Sequence, residues 1–224
     1  AGHMPVVITS GGRLTQPIQD RGVPLITCPV NRRSPAALWK NAYRITRIAE
    51  EQNVDVLNPQ GVYPAVSCYL ASRRLSRAGQ AVPNIVTIHM LNKLVGWYYY
   101  LGTKALNRLA DHIIFESECE RDRVCKHGLR PPTTVIPNCF PYSAIESVHE
   151  TREQIRRDIG CPEDAVLFIM PARMTPEKNH ELLFEAISHQ KVRNLPIHFF
   201  LAGDGRLAEQ HKAAVAAKGL HDKI

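Results

Sequence analysis

An α/β fold in two units, each built on a parallel sheet with helices on both faces, is what this sequence predicts. Three observations carry it. Short, nearly continuous apolar runs such as Asn84–His89 and Ala165–Ile169 alternate with longer segments of helical periodicity. The apolar runs do not alternate polar with apolar, as strands buried on both faces require. The alternation stops at Phe140, gives way to a linker with one polar helix (152–159), and resumes at Ala165. The boundary therefore falls near residue 140, giving domains 1–140 and 141–224.

In chain order, Pro5–Thr9 is a strand that ends in Ser10-Gly11-Gly12, and Leu25–Cys28 is a second. Ser34-Pro35 supplies an N-cap and a proline at the first helical position. Leu38, Ala42, Ile45, Ile48 and Ala49 then recur at helical spacing through Glu51. Val54–Leu57 reads as a third strand and Gly61–Arg77 as a helix. A fourth strand, Asn84–His89, precedes an aromatic-rich helix, Leu94–Ala110. The pattern continues with strand His112–Phe115, helix Glu118–His127 and strand Thr133–Ile136. In the second unit, strands at 165–170 and 197–202 alternate with helices at 178–190 and 204–219, and another element begins at Lys223.

Apolar residues make up 44% of the 224, enough for a core in each unit. No apolar run approaches the ~18–20 residues of a spanning helix. No secretory signal is expected at the N-terminus, where Ala1–Met4 reads either as an added tag or as a native helix-to-strand turn. The six cysteines form no CxxC pair and read as reduced thiols of a cytoplasmic protein. The net charge of +7 is uneven: residues 1–141 hold 17 Lys and Arg against 9 Asp and Glu, residues 142–224 hold 11 against 12. A basic first unit suits an anionic partner, either a phosphorylated acceptor, an anionic membrane face or nucleic acid, or it is simply a solvated surface. The sequence has no P-loop, no GxGxxG after a strand, no GxSxG and no HExxH, which removes P-loop, classical dinucleotide, serine-hydrolase and zincin readings.

Candidate site residues fall at the carboxyl ends of strands, where open α/β sheets bind ligands. Arg173 and Lys178 share the loop Met170–His180, between a strand and a helix N-terminus. Two cations over free helix N–H groups make an anion site, best suited to a phosphate or diphosphate. The competing reading, a surface pair bridged to Glu177 and Glu181, is the weaker because both cations lie at one strand end. Gly203-Asp204-Gly205 follows the next strand and serves either phosphate approach or a tight strand-to-helix turn. His89 and Asn138 end strands of the first unit, and Gly11 and Gly12 follow its first strand. A lone histidine at such a place is either a functional group or a satisfied polar residue. Trp97-Tyr98-Tyr99-Tyr100, flanked by Lys93, Lys104 and Arg108, covers all sides of a helix. It is either core with surface tyrosines or an interfacial patch for lipid or glycan.

Several segments are familiar together. Val135-Ile-Pro-Asn138 resembles the V-I-P-N-G segment of nucleotide-sugar glycosyltransferases of the GT-B fold, the retaining group 1 family. Ala172-Arg173 with Glu177-Lys178-Asn179 resembles its G-R-x-x-x-E-K-N segment, and Phe200–Gly205 its L-x-I-x-G-x-G segment. Asp111–Ser117, Thr87–His89 and Asn53–Leu57 are similar to further family segments, all in family order. The resemblance implies two Rossmann-like domains facing across a cleft. It implies sugar transfer with retention from a nucleotide-diphosphate-sugar donor to a glycan or lipid-linked acceptor. Polysaccharide, lipopolysaccharide or glycolipid assembly is the implied setting, at the cytoplasmic side of a membrane, with no essential metal and no nucleic acid partner. It puts the donor diphosphate on Arg173 and Lys178, with Glu177, Asn138, Gly203, Asp204 and Gly205 also on the donor, and His89 as the catalytic residue near the donor sugar.

The sequence departs from the pattern at Ala172, Cys139 and Asn58, where the family has Gly, Gly and often His. The family's first strand, glycine-rich loop and first helix, and its E-x7-E segment, are expected to lie outside these 224 residues. Two other readings stand beside a transferase: a non-catalytic nucleotide-sugar-binding module, and a sugar-nucleotide epimerase of the same fold.

Overall fold

A computed structural model describes residues 2–32, 34–89, 96–140, 142–147 and 149–224. The chain forms two compact units, Ala1–Phe140 and Pro141–Ile224. In the first, β1 (Val7–Thr9), α1 (Thr15–Gln19), β2 (Leu25–Thr27), α2 (Pro35–Glu51) and α3 (Val62–Arg77) precede β3 (Ile85–Ile88). Then come α4 (Gly96–Leu109), β4 (His112–Phe115), α5 (Glu118–Cys125) and β5 (Thr133–Val135). β1 pairs with β2, and β3-β4-β5 form a second ladder, all parallel.

Local chemistry explains the helix starts. Ser34 Oγ accepts from the Ala37 N–H at 3.3 Å with Pro35 at the first helical position, and Ser117 Oγ caps α5 through Glu120 N–H at 3.2 Å. α1 has no buried residue and no periodic apolar face, so nothing in the hydrophobic pattern announces it.

Val54–Leu57 departs from the expected strand. It makes isolated bridges only, Leu57 with Asn84 and, beyond Pro59, Gln60 with Thr87. Leu57 and Pro59 bond toward β3, through Ile85 N–H to the Leu57 carbonyl at 2.8 Å and Thr87 N–H to the Pro59 carbonyl at 3.0 Å. Val7 and Thr9 bond toward β2, so the alternation of a parallel ladder turns Ile8 the other way. Between these two edges lies a cavity of about 850 Å³, lined by apolar side chains such as Ile8, Ile45 and Val56 and by the polar Ser10, Asn58 and Gln60.

The core of β3-β4-β5 is Val86, Ile88, Ile113 and Phe115 with Leu106 of α4 and Val124 of α5, all buried. Asn84 is also buried and ties three elements together. Its amide donates to the carbonyls of Ala65 (3.2 Å) and Leu109 (2.6 Å), and its N–H donates to Asp111 Oδ2 at 2.7 Å. All six cysteines are free; burial pushes the Cys68 thiol up to about 12, so it is a protonated packing group.

The second unit holds α6 (Tyr142–Glu146), α7 (Arg152–Asp158), β6 (Val166–Pro171), a 3-10 turn (Pro176–Lys178) and α8 (His180–Ser188). α9 (Gln190–Arg193), β7 (Ile197–Ala202) and α10 (Ala208–Ala217) follow. β6 and β7 pair in parallel from Val166↔Ile197 to Pro171↔Ala202. The helix expected over 178–190 starts at His180, because Asn179 sits in the left-handed region (φ 50°), and it ends at Ser188 before an extended His189. Phe184, Ile187, Val215 and Leu220 make the buried core that α8 and α10 share with β7.

Within it, the His180 and His211 rings lie 4.8 Å apart, and no nitrogen of either ring has a hydrogen-bond partner among the described residues. Burial, and the charge His211 would carry beside it, hold His180 below its ordinary value. A histidine so depressed takes up its proton on unfolding. Its stability contribution is therefore whole above the ordinary imidazole range and lost as pH falls through it. Urea unfolding of the chain is expected to show stability falling as pH drops below about 6.5, with a slope from this one group of at most about 1.4 kcal/mol per pH unit. His180→Leu should flatten that slope; equal slopes in both proteins would remove His180 as its source.

Candidate functional site

Two groups of polar side chains stand at strand ends, one in each unit. In the first unit, His89 follows β3, Glu116 follows β4, Asn138 lies three residues past β5, and Gln60 is bridged to Thr87. The strands bring them side by side. His89 Nδ1 is 2.5 Å from Glu116 Oε1, and His89 Nε2 is 2.6 Å from Gln60 Oε1. Hydrogen bonding from His89 holds the Glu116 carboxyl below its ordinary value. Partial burial opposes this, and a hydrogen bond with the Asn138 side chain adds to it. The His89 side chain remains 51% exposed, so a ligand can reach it. A structural role for this histidine is thereby joined to an accessible one: it is hydrogen-bonded and still open.

Asn58 and Gln60 complete the row. Gln60 Nε2 donates to the Asn58 carbonyl at 3.2 Å and to Asn58 Oδ1. In the sequence Asn58 stands out only as a departure from a histidine, and Gln60 and Glu116 do not stand out. The available signal was position: each follows a predicted strand by at most three residues. Gly11 and Gly12, after β1, have φ of 94° and 147°, with open space where a Cβ would stand. Gly11, Asn58 and Gln60 all line the cavity between β1 and residues 54–58.

In the second unit, β6 and β7 deliver two loops that continue to pair beyond the strands. Ala172 N–H donates to the Ala202 carbonyl at 3.0 Å, Met174 N–H to the Asp204 carbonyl at 2.9 Å, and Leu207 N–H to the Met174 carbonyl at 3.1 Å. This explains the glycines. A Cβ on Gly203 would lie 2.0 Å from the Ala172 carbonyl oxygen, and one on Gly205 2.4 Å from that of Met174. Neither glycine has a positive φ, so their reason is close backbone approach and not turn geometry. Asp204 is exposed, and its Oδ1 accepts from the Gly205 N–H at 2.6 Å.

The pairing fixes the backbone under Arg173, whose side chain is 68% exposed and reaches Glu177 Oε1 at 3.5 Å. That contact is at the long limit of a hydrogen bond and worth little at the surface. Glu181 accepts instead from Gln210 at 3.3 Å, and among the described residues Lys178 Nζ makes no ion pair. Lys178 closes the 3-10 turn just ahead of α8, whose N-terminus has no side-chain cap from Asn179. Two exposed cations thus flank uncapped helix N–H groups, an arrangement that binds anions. Arg206, exposed in the facing loop, is a further cation, one that no sequence motif marks.

On the aromatic helix, the side chains of Trp97 and Tyr98 lie outside the described residues. Tyr99 is half-buried, stacked on His127 at 5.7 Å, while Tyr100 is exposed with Lys104 Nζ 4.4 Å from its ring centroid. No described helix is long and apolar enough to cross a membrane.

No curated protein sequence matches. A crystal structure of a glycosyltransferase from Rickettsia africae is 22% identical and covers 100% of this chain and 59% of its own, with a TM-score of 0.77. HepE from Anabaena, crystallised with UDP-glucose, is 18% identical over 97% of this chain and 59% of its own, TM-score 0.74. A UDP-N-acetylglucosamine 2-epimerase from Listeria monocytogenes, so described provisionally by its depositors, is 14% identical over 98% and 59%, TM-score 0.58. At these identities the likeness is one of fold, and the chain spans about three-fifths of the length of each. The group 1 glycosyl transferase model matches residues 151–224. With the Glycosyltransferase Family 4 model matching residues 1–142, more than half the sequence, the chain belongs to that family of GT-B glycosyltransferases.

Proposed function

We propose that the protein transfers a sugar from a uridine-diphosphate-type donor, with retention, to a glycan or lipid-linked acceptor. The observation that carries this reading is the 172–178 loop, which backbone pairing with 203–207 holds in place and which presents Arg173 and Lys178 without a strong carboxylate partner. The two cations take the diphosphate and stabilise it as it leaves, the role a metal plays in other transferases. HepE, crystallised with UDP-glucose, and the galactosyltransferase WaaB share the fold and support this choice over a binding module. His89 acts on the sugar side of the reaction, with Asn138 beside it through Glu116. The basic residues of the first unit suit a phosphorylated acceptor or the anionic cytoplasmic face of a membrane.

Titration calorimetry with UDP tests the donor site. Arg173→Ala is expected to weaken binding by about tenfold to a hundredfold, the loss of a charge-assisted hydrogen bond. Equal affinity would take Arg173 out of the diphosphate role. In parallel, labelled UDP-sugars are incubated with and without saccharide acceptors. Product that needs an acceptor supports transfer, and sugar isomerisation without one would replace this reading with the epimerase.

A further inference from the structure

The hydrogen-bond row in the first unit has a direction, and a main-chain carbonyl sets it. Asn58 Nδ2 donates to the Ile85 carbonyl at 2.7 Å and to Thr87 Oγ1 at 2.9 Å. A carbonyl only accepts, so the Asn58 amide has one orientation, with Oδ1 turned toward Gln60. Gln60 Nε2 then donates to Asn58 Oδ1 and to the Asn58 carbonyl, which uses both of its hydrogens. Its Oε1 is left facing His89 Nε2 at 2.6 Å. Two acceptors do not bond to each other, so the hydrogen lies on Nε2. On the far side of the ring the same argument holds: Nδ1 and Glu116 Oε1, 2.5 Å apart, share a second hydrogen, so the hydrogen on Nε2 is set by Gln60 and not by Glu116.

We propose that Asn58 and Gln60 are positioning residues that fix His89 as a hydrogen-bond donor at Nε2. His89 therefore presents N–H to an acceptor oxygen of the substrate, a sugar hydroxyl or phosphate oxygen that shares the Nε2 hydrogen with Gln60 Oε1. It is not the base that removes a proton from the incoming hydroxyl. Glu116 holds the opposite edge of the ring and keeps its plane fixed between the ends of β3 and β4. That His89 meets substrate rests on the transferase reading; the hydrogen position on the ring does not.

The two claims separate in one set of samples. The chain is labelled with 15N-histidine, and long-range proton–nitrogen correlations are recorded at about pH 8, above the ordinary imidazole range. His89→Phe assigns the resonance. In the parent protein Nε2 is expected in the protonated range. Gln60→Glu keeps an acceptor against Nε2 and should leave it there. Gln60→Met removes the acceptor, so Glu116 alone decides, and the ring should move to the form with hydrogen on Nδ1 and Nε2 unprotonated. An unprotonated Nε2 in the parent, or no change in Gln60→Met, overturns the proposal. In a transfer assay Gln60→Met should lower kcat about tenfold with little change in donor KM, and Gln60→Glu should recover part of it. Absence of any transfer activity with the expected nitrogen pattern would count against the transferase reading alone.

Discussion

Gly203→Ala is expected to be the most disruptive single-methyl change in the second unit, and to remove donor binding with it. The added Cβ would stand 2.0 Å from the carbonyl oxygen of Ala172 and 2.9 Å from its carbonyl carbon. Both are main-chain atoms, held by the Ala172 N–H bond to Ala202 and the Met174 N–H bond to Asp204. Neither can turn aside as a side-chain tip would. The two loops must part, and overpacking of this kind costs about 3 kcal/mol or more. The loop that moves carries Arg173, so UDP affinity should fall at least as far as in Arg173→Ala. Gly11→Ala makes the contrast. Gly11 has φ 94° but open space around it, so it meets only the backbone penalty of about 1–2 kcal/mol and leaves the second unit untouched. Denaturant unfolding with calorimetry on both variants decides the matter. A Gly203→Ala protein with parent-like midpoint and UDP affinity would show that the loops are not held together as described.

That glycine shows what was and was not legible in the sequence. Strand and helix alternation placed nearly every element, because apolar runs and helical periodicity report burial directly. Gly203 and Gly205 were visible as candidates. Their reason was not, since a close approach between residues 31 positions apart, Ala172 and Gly203, is a fact of strand pairing. The cations Arg173 and Lys178 were legible because one short loop holds both. The polar row was not: His89 and Glu116 follow β3 and β4, Asn58 and Gln60 lie in the bridged segment before α3, and only the parallel pairing of β3 with β4 and the Gln60–Thr87 bridge make them neighbours. The 54–57 segment failed in the opposite way. Its composition is that of a strand, but strand character needs a partner edge, and it meets β3 only at bridges.

Arg156→Ala is expected to destabilise the second unit by about 3 kcal/mol, through carbonyls rather than through charge. Arg156 is among the few buried charged residues. Its guanidinium Nη2 donates to the carbonyls of Pro162, Glu163 (3.2 Å) and Ala165 (2.6 Å). No carboxylate pairs with it among the described residues, so the arrangement is not a buried salt bridge that an apolar pair could replace. It is a tie between α7 and the turn that launches β6, whose first residue, Val166, then bonds to Pro196 at 2.7 Å. Removing the side chain leaves those oxygens without their shared donor and opens a cavity. Arg156→Met separates the two effects by keeping most of the volume without a donor. If the carbonyls dominate, Arg156→Met loses nearly as much as Arg156→Ala, and Arg156→Lys, with one compact ammonium in place of a planar fork, recovers only part. Urea midpoints of the three variants read this directly. Full recovery by methionine would assign the loss to packing and remove the tie from the account of how β6, and Arg173 beyond it, is anchored.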